Sequence, residues 1–127
     1  MLLLDTHLIL WAAFAPERLS VKARRQLRSR AEPLAFSLAS MWEVAIKTSL
    51  GRPDFSVDTK LLHGALLSEG FIELPVQIGH IARAAALPWV HRDPFDRMLV
   101  AQVMEDRLTL LTCDAVLKRY GRFVKLV

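Results

Sequence analysis

Apolar residues along this chain gather in short unbroken runs of strand length, and between the runs polar and apolar positions recur with the period of a helix. Leu2 to Leu4, Leu34 to Leu38, Phe71 to Leu74, Thr109 to Thr112 and Phe123 to Leu126 are the strand candidates. None alternates cleanly between apolar and polar, the pattern of strands covered on both faces. The intervals carry helical spacing with start and stop residues. His7 to Phe14 follows the first strand directly, and Ser20 is a candidate N-cap for a basic segment running to about Arg30. Ser40 is expected to cap the next helix, which ends before Gly51. Asp58 opens one through Leu67, Val76 to Ala86 lies between Pro75 and Pro88, Asp93 or Pro94 begins one that continues to about Glu105, and Asp114 begins a short one before Gly121. Strand-length runs alternating with helices predict an α/β fold whose parallel strands are joined by crossover helices. No internal repeat, low-complexity tract or linker interrupts the pattern, so residues 1–127 are expected to form a single domain.

Composition narrows the class. The chain has 127 residues, 53% of them hydrophobic, which is enough for one domain with a substantial core and excludes disorder. Lys and Arg number 17 against 13 Asp and Glu, a net charge of +4 that favours a polyanionic partner without requiring one. The single cysteine, Cys113, has no internal partner, and no Cys/His spacing suits zinc, so a reducing compartment is expected. The start MLLLD lacks a basic leader and no stretch approaches the roughly 18 apolar residues of a membrane span. A cytoplasmic, full-length mature chain without membrane contact is the expectation.

Four acidic residues fall at or near strand-to-helix transitions: Asp5 after the first strand, Glu43 in the first turn after the second, Asp96 in the first turn of its helix and Asp114 just past Thr112. If the strands are parallel, these ends share the edge where open α/β sheets place their ligand crevice. Capping is the competing account. Ser40 to Glu43 has the spacing of a capping box, Asp93-Pro-Phe-Asp96 pairs an N-cap candidate with an acidic first turn, and Asp114 can cap its own helix. Capping is not expected to explain Asp5, nor why four such positions share one edge. Carboxylates brought together repel and raise one another's pKa unless a cation neutralises them, so their convergence argues for a metal. Hard oxygen donors in that number suit Mg²⁺ or Mn²⁺.

The segments LLLDTHLILW, SLASMWEVAIK, HRDPFDRMLVAQ and LLTCDAVLKRYG, in that order and spanning nearly the whole chain, resemble a PIN-domain ribonuclease of the VapC toxin type. The resemblance implies a three-layer fold with a mainly parallel central sheet and the acidic site at its carboxyl edge. It implies catalytic roles for Asp5, Glu43, Asp96 and Asp114, with Asp5 and Asp96 as the principal metal ligands. Thr112 is expected to support the site by hydrogen bonding, and Asp93 to hold the helix that presents Asp96. It further implies an endoribonuclease using Mg²⁺ or Mn²⁺, a small cognate antitoxin as partner, and a homodimer. Two rival functions stand beside this one. A different Mg²⁺-dependent phosphoryl hydrolase is disfavoured because position 7, where one such class needs a second aspartate, is His7. A catalytically inactive, PIN-like protein-interaction module is disfavoured because all four acids are present.

Several other residues have structural readings that compete with functional ones. Arg24, Arg25 and Arg28 share a helix face that reads as solvated before it reads as RNA-binding. His7 lies close to Asp5 in sequence, whereas His63, His80 and His91 read as surface or packing residues. Burial is the expectation for Trp11 and Trp42, and small-residue packing for Cys113.

Overall fold

The computed structural model describes residues 1–127. Five strands, β1 (Leu2–Leu4), β2 (Leu34–Ser37), β3 (Ile72–Leu74), β4 (Thr109–Thr112) and β5 (Val124–Leu126), form one sheet in the order β3-β2-β1-β4-β5, every pairing parallel. The α-helices are α1 (Thr6–Phe14), α2 (Val21–Ser29), α3 (Leu38–Ser49), α4 (Thr59–Ser68), α5 (Ile78–Ala86) and α6 (Pro94–Asp106). Two 3₁₀ segments, Pro16–Arg18 and Ala115–Tyr120, complete the chain, the first of them unforeseen from sequence.

The absence of alternation in the strands has a direct structural cause. Leu2 and Leu4 of β1 point into one core with Leu8, Ile9, Ala23, Phe36 and Leu66, while Leu3 points into a second core with Leu99, Val100, Leu110 and Leu117. The sheet therefore lies between α1, α2 and α4 on one face and α5, α6 and the last 3₁₀ turn on the other, with α3 reaching both cores. Each fully buried leucine contributes about 1.5 to 3 kcal/mol by leaving water, which makes apolar β1 the natural centre of the sheet. None of the helices is long and apolar enough to cross a membrane.

Two expected helix starts move, that of α5 to Ile78, two residues later than expected. α3 begins at Leu38, one turn's worth earlier than expected, because the Ser37 hydroxyl accepts the Ala39 N–H at 3.0 Å and so acts as the cap. Ser40 is instead inside the helix and buried, accepting a 2.9 Å hydrogen bond from the Thr6 hydroxyl, so the Ser40–Glu43 capping box does not exist. Asp5, for which no capping role was expected, does cap α1: its Oδ1 accepts the Leu8 N–H at 2.9 Å. Ser20, Asp58, Asp93 and Asp114 cap the elements expected of them.

Candidate metal centre

β1 is central, with β2 on one side and β4 on the other, so the chain reverses its direction of strand addition at the β1–β4 boundary. Loops leaving adjacent strands part at such a point and open a crevice at the strands' carboxyl ends. Asp5 leaves β1 there, Asp114 leaves β4, and Glu43 arrives on the second turn of α3.

The four acids differ in how their oxygens are committed. Asp5 is buried, with Oδ1 held by Leu8 N–H and Oδ2 accepting from the Thr112 hydroxyl at 2.5 Å. Thr112 in turn accepts the Asp114 N–H at 3.0 Å, which ties the β1 and β4 ends together. Glu43 is only 2% exposed; its Oε2 accepts from Lys47 Nζ at 2.6 Å, one helical turn on. Its Oε1 is the one buried side-chain polar atom in the molecule without a hydrogen-bond partner. Asp114 Oδ1 accepts the Val116 N–H at 2.9 Å, and its Oδ2 lies 3.0 Å from His91 Nε2. Asp96 accepts no backbone N–H, and His91 Nε2 stands 3.5 Å from its Oδ2.

Proximity of the four is legible in their electrostatics. Burial pushes the Asp96 carboxyl up to about 7, and the charges of Asp93, Asp5 and Glu43 add to the rise while His91 opposes it. Burial also raises Asp5, against the hydrogen bonds from Thr112 and Leu8 and the nearness of His7; Asp114 raises it further. The Cys113 thiol is raised too, by partial burial first and then by Asp5, and the residue is exposed, contrary to the packing expected of it.

The acids singled out from sequence are thus electrostatic neighbours at one end of the sheet, Asp5, Glu43 and Asp93 acting on Asp96 and Asp114 acting on Asp5. Asp93 Oδ1 accepts the N–H groups of Phe95 (2.8 Å) and Asp96 (3.2 Å), the geometry of an N-cap. His91 corrects the sequence expectation: it is neither a surface nor a packing residue, and its Nε2 groups with oxygens of Asp96 and Asp114, all within 4.8 Å of one another. A histidine two residues ahead of an N-cap aspartate was the available signal. Lys47 was legible as well, four residues after Glu43 on the same helix. Trp42 is 64% exposed, contrary to the expected burial.

The donor set suits a hard divalent cation: carboxylate oxygens from four chain segments, one of those oxygens buried and unpartnered, and a carboxyl whose charge the protein alone does not stabilise. A cation placed among them would satisfy Glu43 Oε1 and favour ionised Asp96.

Comparison with known proteins agrees with this architecture. No curated protein matches the chain in sequence. Three solved structures share its fold over nearly the whole length. One is a chain of a toxin–antitoxin complex from Klebsiella pneumoniae, 18% identical with a TM-score of 0.69, aligned over 98% of this chain and 96% of that one. A chain of VapBC2 from Rickettsia felis, solved bound to a DNA fragment from the promoter, is 12% identical with a TM-score of 0.71, covering 99% and 96%. FitAcB from Neisseria gonorrhoeae contributes a chain 17% identical with a TM-score of 0.64, again over 99% and 96%. The PIN-domain family matches residues 2–123 in sequence, nearly the entire chain, and with its acids gathered at the carboxyl edge of a parallel sheet this protein belongs to the PIN-domain family.

Proposed function

We propose that this chain is a divalent-cation-dependent endoribonuclease of the VapC type, the toxin of a toxin–antitoxin pair. The observation that carries the proposal is the unpartnered, buried Glu43 Oε1, in a residue near enough for its charge to act on Asp96, whose carboxyl burial and like charges push up to about 7. Such an arrangement costs stability unless a cation completes it. Mg²⁺ or Mn²⁺ bound there would lower the pKa of water, neutralise the phosphate oxygens and stabilise the leaving oxygen of a phosphodiester.

The protein's part is to hold and orient. Asp5 and Asp96 would be the principal ligands, with Glu43 and Asp114 completing the site. Thr112 keeps one Asp5 oxygen facing β4 by its hydrogen bond, and Asp93 fixes the first turn of α6, on which Asp96 rides. Lys47 binds one Glu43 oxygen and leaves the other without a protein partner. A groove of about 790 Å³ opens beside His7 and Lys47 and carries Arg18, Arg52 and Trp11, cations and an aromatic face suited to an RNA strand leaving the acids.

The antitoxin, expected from the resemblance to cover the acidic cleft, would have a second surface to hold. An apolar groove of about 1060 Å³ between α1, α2 and α4, lined by Ile9, Phe14, Leu27, Leu61 and Leu66 with Arg24 and Arg28 at its rim, fits an amphipathic helix with acidic flanks. Membership of the similar Klebsiella chain in a toxin–antitoxin complex supports that partner.

The test is mapping of RNA 5′ ends after brief induced expression, with Asp5→Asn and Asp96→Asn as controls. Discrete new ends from wild type, reduced at least a hundredfold in both variants, are expected. A folded wild type that cuts no RNA would leave the protein-interaction module standing in its place.

A further inference from the structure

His91 sits where a fifth metal ligand could be imagined, yet its hydrogen bonds exclude that role. The Asp93 backbone N–H donates to His91 Nδ1 at 3.0 Å, so Nδ1 presents a lone pair and carries no proton. A neutral imidazole then has its proton on Nε2, directed at Asp114 Oδ2 at 3.0 Å. Coordination through Nε2 would require the proton to move to Nδ1, head-on against the Asp93 N–H. The ring is braced in this setting. Its backbone N–H donates to the Tyr120 hydroxyl at 3.1 Å, and Tyr120 donates onward to the Pro88 carbonyl at 3.0 Å. The buried guanidinium of Arg97 holds the same loop by donating to the carbonyls of Ala84, Leu87 and Pro88.

We infer that His91 is a positioning residue of the metal centre: a fixed Nε2–H donor that holds Asp114, and through it the far side of the site, within 4.8 Å of the Asp96 carboxylate. Asp93 gains a second task, because its side chain caps α6 while its backbone N–H sets the His91 tautomer. A continuous chain of hydrogen bonds then runs from Asp93 through His91, Asp114 and Thr112 to Asp5. Each end of the pocket is thereby coupled to the other without the cation. Partners of this kind, which orient ligands without coordinating, are typically worth ten- to a hundredfold in metal affinity.

The inference rests on the metal-centre reading above, and the experiment separates the two. Mn²⁺ affinity would be measured by electron paramagnetic resonance for wild type, His91→Ala and His91→Gln, and nitrogen coupling to bound Mn²⁺ in the wild type by pulsed methods. The imidazole tautomer would be read from ¹⁵N shifts in the chelated protein. Expected are the Nε2–H tautomer, no directly coordinated nitrogen, at least tenfold weaker Mn²⁺ binding by His91→Ala, and recovery of most of it by His91→Gln, whose amide places an N–H near Nε2. A wild type that binds no Mn²⁺ overturns the metal-centre reading and the inference with it. Directly bound nitrogen, the Nδ1–H tautomer, or undiminished binding by a folded His91→Ala overturns the role of His91 alone.

Discussion

At the scale of single residues, Asp96 is where sequence and environment conflict most. Its carboxyl is raised from 3.8 to about 7 by burial and by neighbouring acids. Below 3.8 it is protonated in folded and unfolded states alike and costs nothing. Between 3.8 and about 7 the unfolded chain releases the proton while the folded one retains it, so stability falls as pH rises, and above 7 the whole loss is present. Urea unfolding in chelator should therefore show the wild type losing roughly 2 to 4 kcal/mol across that window through this one group. Asp96→Asn should lose much less and be the more stable protein at pH 8, by roughly 1 to 3 kcal/mol after the lost helix-dipole interaction is subtracted. A variant less stable than wild type at pH 8 would mean that Asp96 only complements its helix. Residue types were legible in advance here, and partners were not. The positions of Asp5, Glu43, Asp96 and Asp114 could be read because strand ends are marked by composition. That Ser40 meets Thr6 and that His91 faces Asp114 could not, because each depends on atoms brought from distant segments; the Asp5 cap on α1 is a local bond to Leu8 N–H that its place just ahead of the helix already offered.

Elements were more readable than their boundaries. All five strands lie within a residue or two of their apolar runs, since a buried parallel strand has little choice but to be apolar throughout. The start of α3 moved because more than one residue could serve as cap. At α3 the choice falls on Ser37, whose hydroxyl both caps the helix and donates to Gln102 Oε1 of α6 at 2.6 Å, a tertiary bond invisible in a local window. Ser37→Ala would remove a cap worth about 1 kcal/mol and leave the buried Gln102 oxygen unsatisfied for about 1 to 3 more. A loss of about 2 to 4 kcal/mol in chemical unfolding is expected. Pairing it with Gln102→Met should cost clearly less than the sum of the single changes; strict additivity would show that the two side chains do not act together.

For the whole molecule, the order β3-β2-β1-β4-β5 brings the strand ends that carry the scattered acids to one edge of the sheet, and that consequence of parallel topology was available once parallel strands were inferred. The surface was not available in this way. Composition announced apolar excess, but which apolar side chains stay outside depends on packing, and Trp42, Leu61, Ile78 and Trp89 all do. Leu61 is 72% exposed and lines both grooves. If the larger groove receives the antitoxin, Leu61→Glu should weaken capture of the co-expressed partner by about thirtyfold or more, the scale of a lost interface anchor, with an unchanged fold. Equal affinity in a binding titration would place the partner elsewhere. The central claim concerns the pocket itself, and thermal unfolding of wild type and Asp96→Asn at pH 8, in chelator and in millimolar Mn²⁺, tests it most directly. A ligand that binds only the folded state raises the melting temperature by mass action, by about 2.7 kcal/mol of stability at a hundred times its Kd. The wild type should shift upward by several degrees on adding Mn²⁺ and the variant hardly at all. A wild type indifferent to the cation, or a variant that responds as strongly, would contradict a metal centre built on these four carboxylates.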